Sequence, residues 1–135
     1  MIVMKKFKYF TIAEFERSSV AKERGIDNAI PLFLLDKAYY TLQCLDEIRE
    51  GYGKPIIITS GYRCPLLNSA VGGVSNSQHT KCEAADLRWD EGLLAYILDN
   101  CDYDQLIEEK VKNVKWIHIS FREDNNRKQY IQIKK

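Results

Sequence analysis

Lys54-Pro-Ile-Ile-Ile-Thr-Ser-Gly61 is where the chain changes its period. Three isoleucines and a threonine in a row are β-branched, so they pack well on a pleated surface and lose rotamer freedom in a helix. Glycine closes the run, which therefore reads as a short buried strand. Upstream the pattern is helical. Leu35, Tyr39, Leu42, Leu45 and Ile48 recur at helical spacing through residues 32–50, with charges between them, and Gly51 and Gly53 end the pattern. Residues 11–24 read as one shorter helix, opened by a capping box of Thr11 and Glu14 and stopped by Gly25.

Downstream the elements are short. Pro65 through Val71 suits a brief helix with proline in its first turn, broken by Gly72-Gly73. Residues 73–81 read as a polar loop and 83–88 as a strand. Asp90 is placed to cap a helix over 91–100. Residues 104–109, 115–121 and 128–133 read as three strands. Arg122-Glu-Asp-Asn-Asn-Arg127 joins the last two and reads as a hairpin-like turn. Helices thus come first and mostly antiparallel strands follow. The fold class is α+β, N-terminal helices packed on a mostly antiparallel sheet.

The length of 135 residues suits one domain over 1–135, large enough to bury a core without covalent staples. A net charge of +1 argues against nucleic acid as a partner, since that requires a dense basic footprint. The lysines near the ends (Lys5, Lys6, Lys8, Lys134 and Lys135) read as solvated tails. No apolar run approaches the roughly 20 residues of a membrane span. Met-Ile-Val-Met-Lys-Lys at the start has no long apolar stretch after its lysines, so no secretory signal is expected and synthesis in the cytoplasm is. Cys44, Cys64, Cys82 and Cys101 are widely spaced and, from a cytoplasmic start, are expected as free thiols. A monomer is expected.

The chain has two histidines, His79 and His118. A histidine taken singly is more often a satisfied structural residue than a ligand. Strand alternation in Trp116-Ile-His-Ile-Ser-Phe121 sets Ile117, Ile119 and Phe121 toward the core and turns Trp116, His118 and Ser120 away from it. His79 lies in a loop, and seven residues on Asp86 interrupts the apolar Ala84-Ala85-Asp86-Leu87. An acid there is costly unless it is paired or metal-bound. An ion pair with Arg63 or Arg88 would explain it as well as a metal would. Two imidazoles and a carboxylate leave a fourth tetrahedral position open, as catalytic rather than structural zinc sites do. The helical H-E-x-x-H pattern is absent, so this is not that type of metallopeptidase.

Taken in order, Thr59-Ser-Gly-Tyr-Arg-Cys-Pro-Leu-Leu-Asn68, Ser77-Gln-His79, Ala84-Ala-Asp86 and Trp116-Ile-His-Ile-Ser120 resemble a known family. It is that of the zinc D-alanyl-D-alanine carboxypeptidases and related phage and bacterial cell-wall endopeptidases, whose fold the hedgehog signalling domain shares. Phe10-Thr-Ile-Ala-Glu-Phe-Glu-Arg-Ser18 and Asp104-Gln-Leu-Ile-Glu-Glu109 are similar to the small, prophage-type members. The resemblance implies one zinc ion on His79, Asp86 and His118 and zinc-bound water as nucleophile. It also implies a peptidoglycan peptide as substrate and Arg63 as a contact for substrate or developing oxyanion. Arg63 paired with Asp86 or Glu83 is the plainer alternative.

Many relatives carry an acid three residues before the last histidine, where this chain has Lys115. The smaller members instead place a glutamate at Glu109, which becomes the expected general base, with Glu108 as its competitor. Ser77, Gln105 and Trp116 are expected to line the cleft. Relatives often have glycine where this chain has Cys82; a buried thiol is expected there rather than a further ligand. The function implied is hydrolysis of peptidoglycan peptide bonds, by a carboxypeptidase or by an endolysin of phage or prophage that acts at the wall or periplasm through a separate export route. The alternative is a zinc-containing binding module without catalysis on the same scaffold.

Overall fold

The computed structural model describes residues 7–135. Among the described residues, five α-helices and five strands follow in chain order as α1 (Ile12–Glu16), α2 (Ser19–Arg24), α3 (Leu35–Tyr52), β1 (Ile58–Ser60), α4 (Pro65–Ala70), β2 (Ala84–Arg88), α5 (Glu91–Asn100), β3 (Gln105–Val111), β4 (Val114–Ser120) and β5 (Gln129–Lys134). The strands form one sheet in the order β1-β2-β4-β3-β5, with every neighbouring pair antiparallel except β3 and β5. The α+β reading holds.

The long helix α3 forms because its apolar positions recur once per turn. Ala38, Tyr39, Thr41, Leu42, Leu45 and Ile48 are its buried face. It runs through Gly51 and stops at Gly53, whose left-handed backbone (φ 79°) lets its N–H reach the Arg49 carbonyl. Leu42, Leu45 and Ile48 of α3 share one core with Leu93, Leu94 and Ile97 of α5 and with Ala85, Leu87, Leu106, Ile117 and Ile119 of the sheet. One sheet face is thereby apolar and covered. By alternation the opposite face of β2 and β4 presents Asp86, Trp116 and His118.

Two expectations are corrected. Residues 11–24 are not one helix. Arg17 takes an extended conformation (φ −66°, ψ 134°), and the Ser18 hydroxyl accepts the Ala21 N–H to start α2 afresh. A serine that can cap competes with the helix it interrupts. Nor do β4 and β5 form a hairpin. Residues 121–128 carry the chain round the end of β3, and β5 adds in parallel on its far side.

What holds that crossing is Asp104, whose side chain is fully buried. It accepts from the Arg127 backbone N–H, Nε and Nη2 (3.0, 2.9 and 2.6 Å) and from Gln78 Nε2 (2.9 Å), and Arg122 Nε lies 3.4 Å away. The Arg127 guanidinium, outweighing burial, holds the Asp104 carboxyl well below the usual range. Turn-rich composition marked a reversal of direction here but not which strand the chain would join. Lys134, expected in a tail, belongs to β5, while Lys5 and Lys6 lie outside the described residues. Among the described residues, no helix is long and apolar enough to cross a membrane.

Candidate metal centre

Asp86 and His118 are paired directly across the central strands β2 and β4, so the ladder itself brings carboxylate and imidazole together. His118 Nδ1 lies 3.1 Å from Asp86 Oδ1. His79 arrives from a short 3₁₀ turn over Gln78–Lys81 and sets Nε2 at 3.3 Å from the same oxygen. One ligand atom from each of the three lies within 4.8 Å of the others, and His79 and Asp86 are buried. Two imidazoles and one carboxylate with room for a fourth ligand fit a zinc ion of the open, catalytic kind.

The geometry behind His79 fixes its tautomer. Its Nδ1 stands 2.7 Å from the Gly61 carbonyl, so Nδ1–H donates there and Nε2 keeps a free lone pair for a metal. In return the Arg63 backbone N–H donates to the His79 carbonyl (3.1 Å). Ser77 reaches the site differently from the expected lining role. Its hydroxyl accepts the His79 N–H (3.2 Å) and so opens the 3₁₀ turn. Burial would raise the Asp86 carboxyl, but the His79 and His118 imidazoles, when they carry protons on the nitrogens that face it, outweigh burial and hold it well below the usual carboxylate range, and a metal ion would take the place of those protons.

The strand β1 enters with a register slip. Ile58 faces Leu87 and Ser60 faces Asp86, so two residues of β1 span one of β2. That bulge delivers Ser60, Gly61 and Arg63 to Asp86. Arg63 Nη2 meets Asp86 Oδ2 at 3.2 Å, Nε donates to Ser60 Oγ (3.2 Å) and Nη1 to Asn68 Oδ1 (3.4 Å). The ion pair weighed as the plain role of Arg63 is therefore present, and Arg88 makes none with Asp86 among the described residues. A guanidinium has five N–H donors, so two of those on Arg63 are left for another acceptor.

Glu109 and Glu108 separate clearly. Glu109 pairs opposite Trp116, on the same sheet face as His118, and has no hydrogen-bond or ion-pair partner among the described residues. Glu108 points to the other face. There it meets Lys115 Nζ (2.8 Å), Tyr130 Oη (2.7 Å) and Gln132 Nε2 (2.9 Å), and Lys115 foremost draws its carboxyl down to about 2. Stability from that cluster is present above the unfolded value of about 4.3 and is lost as pH falls toward about 2. Gln105 lies on the Glu109 face but bonds Gln129 Oε1 (2.9 Å). Trp116 shares the face, and its buried Nε1 has no hydrogen-bond partner among the described residues.

Sequence reading passed over three residues that shape the site. Asn28 is buried; its amide donates to the Glu16 and Tyr62 carbonyls (2.8 and 2.9 Å) and accepts the Cys64 N–H (2.8 Å), tying α1 to the segment behind Arg63. Asn68 holds Arg63 and donates to the Val74 carbonyl (2.7 Å). Gly61 gives α1 its seat. A methyl group there would collide with the Phe15 carbonyl oxygen and lie 2.7 Å from the Phe15 ring. Gly61→Ala should therefore lower stability by roughly 1–3 kcal/mol and weaken metal retention, read by thermal unfolding and metal analysis. The signal available in sequence was the glycine that closes the β-branched run, one serine after it.

Cys82 is no ligand. Its backbone is left-handed (φ 59°), its residue is fully buried, and its carbonyl accepts Thr41 Oγ1 at 2.6 Å. A left-handed cap is a position that glycine adopts without strain, and here a cysteine takes it. All four cysteines are unpaired. Burial pushes the Cys82 thiol up to about 12 and raises that of Cys101 as well, so alkylation at pH 8 should modify the half-buried Cys64 first and spare Cys82 until the protein unfolds, as peptide mapping would show.

A sequence model of the family described as Peptidase M15 matches residues 8–120. Over 79 residues the chain is 38% identical to the zinc D-Ala-D-Ala carboxypeptidase of Streptomyces albus G. That match takes in 58% of this chain but only 30% of the relative's length.

Proposed function

Because the chain belongs to the peptidase M15 family, we propose that it is a zinc metallopeptidase that hydrolyses peptide bonds of bacterial peptidoglycan, in the stem or the cross-bridge. One observation carries this reading. Three ligand atoms from His79, Asp86 and His118 converge within 4.8 Å on the sheet face turned away from the core. The relative's name supports zinc as the ion and a D-Ala-D-Ala peptide as the kind of substrate. The endolysin and prophage role expected from sequence stays part of this proposal, as does action at the wall.

His79 Nε2, Asp86 Oδ1 and His118 Nδ1 would hold the ion. Zinc, when bound, polarises a carbonyl and lowers the pKa of water in its contact to about 7. Glu109 takes the proton of the attacking water and returns it to the leaving amine. It is diagonal to His118 across the β3–β4 pair, and such neighbours lie about 7–8 Å apart, a span that a glutamate and one water can bridge. The place of Glu108 on the opposite face, among Lys115, Tyr130 and Gln132, supports Glu109 over it in that role. Arg63 directs its two free N–H groups toward the negative charge that develops on the carbonyl oxygen. Trp116 forms the wall beside Glu109.

Glu109→Gln is the deciding variant. It should lower kcat for a purified wall peptide by about 10²–10⁴ while leaving zinc content unchanged. Full zinc in the wild type with no cleavage of any wall peptide would overturn the enzyme reading and leave a zinc-containing binding module.

A further inference from the structure

A cleft of about 220 Å³ opens against the outer side of Arg63, with Arg17, Ser18, Ser19, Thr59 and Ser60 around it. Its volume is below the ~300 Å³ at which whole-ligand sites begin, so it is sized for one residue or group of a larger ligand. No carboxylate lines it, and both charged side chains that do are arginines. Most of its polar groups are committed. Thr59 Oγ1 donates to the Asp86 carbonyl, Ser60 Oγ accepts from Arg63, and Ser18 Oγ caps α2. Arg17 and the Ser19 hydroxyl have no hydrogen-bond or ion-pair partner among the described residues, and both are exposed.

The break between α1 and α2 explains why Arg17 is there. Its extended backbone and the cap at Ser18 put Arg17, Ser18 and Ser19 together on the rim, where a continuous helix would have spread them round its circumference. Arg63, whose guanidinium already holds Asp86 at 3.2 Å, lines the same cleft. A group seated in the cleft is therefore one side chain away from the metal ligands. A planar guanidinium with nothing to bind, facing a cleft without acids, matches a carboxylate, which it can hold through two parallel N–H bonds.

We infer that this cleft is a subsite for a carboxylate of the peptide substrate flanking the bond to be cut, and that Arg17 is the residue that recognises it. The inference rests on the peptidase reading for the identity of the ligand. Arg63 is the fixed wall of the subsite, and Arg17 is the arm that closes on the anion. The carboxylate could be the chain terminus of the peptide or one of its side chains.

The test uses zinc-loaded protein, wild type beside Arg17→Ala and Arg17→Lys, and three forms of one wall peptide: unmodified, amidated at the C-terminus, and amidated on its acidic side chain. Binding is titrated by calorimetry and cleavage is followed in parallel. Wild type should bind the unmodified peptide about 10–100-fold more tightly than one of the two amides, and which amide it is identifies the carboxylate. Arg17→Ala should erase that difference and raise KM about tenfold or more, with kcat and zinc content unchanged, and Arg17→Lys should recover part of it. Equal losses on all three peptides, or no loss on any, would overturn the subsite. Binding that discriminates without any cleavage would uphold the subsite and fail the peptidase reading instead. Arg17 has no partner to lose, so its variants should keep the unfolding temperature of the wild type.

Discussion

Asp86→Ala should empty the metal centre and abolish peptide cleavage, the largest functional effect expected of any single change. Asp86 Oδ1 faces both imidazoles, and Asp86 Oδ2 holds Arg63, so alanine removes one ligand and releases the other partners at once. Loss of an outer partner of a metal ligand costs about 10–100-fold in affinity, and loss of the ligand itself should exceed that. His79→Ala and His118→Ala should behave alike. Metal analysis after dialysis reads the result, and stoichiometric zinc in both histidine variants would sink the assignment. The fold should survive His118→Ala, because the core on the opposite face is untouched.

Asp104→Asn should give the largest loss of stability. The carboxylate is fully buried beneath the crossing between β4 and β5, and the amide cannot serve both arginines and Gln78. Breaking one partner of a buried ion pair costs about 3–5 kcal/mol. The lower end is expected here, since the Arg127 and Arg122 side chains are 38% and 41% exposed and can rehydrate. About 3 kcal/mol corresponds to a fall in Tm on the order of 10 °C for a domain of this size. The pH dependence has a definite sign. A carboxyl held below its ordinary value stabilises the fold above about pH 4, and that contribution drains away as pH falls further. Asp104→Asn should flatten the acid limb of the stability curve. A variant within about 0.5 kcal/mol of wild type would show that the crossing does not depend on this carboxylate.

Much of this arrangement was legible in the sequence because it follows from local chemistry. The capping pair Thr11 and Glu14, the helix stop at Gly53, the cap at Asp90 and the alternation around His118 are each settled within a few residues. The three candidate ligands could be named because an acid in an apolar strand and the two histidines of the chain lie in motifs that occur in a fixed order. What escaped was non-local. That β5 joins β3 rather than β4 depends on a buried aspartate meeting arginines 18 and 23 residues on, which no periodicity records. Ser18 was read as a helix interior position, since its competing role as a cap shows only once the chain bends. What separates Glu109 from Glu108 is the sheet face each takes, which follows from the β3–β4 register.

The three candidate metal donors are not held alike, and the difference bears on how an ion would come and go. Asp86 and His118 sit opposite one another in the middle of the hydrogen-bonded ladder, so they cannot separate unless the centre of the sheet unzips. His79 rides on a loop stitched to its surroundings by single bonds, to the Gly61 carbonyl, the Arg63 N–H and the Ser77 hydroxyl. Local opening of such a segment costs far less than global unfolding. The loop is thus the doorway and the sheet its frame. Ser77→Ala, which frees the His79 N–H, should speed zinc release to a chelator while amide exchange in β2 and β4 stays slow. Equal release rates for variant and wild type would show that the ion leaves by another route.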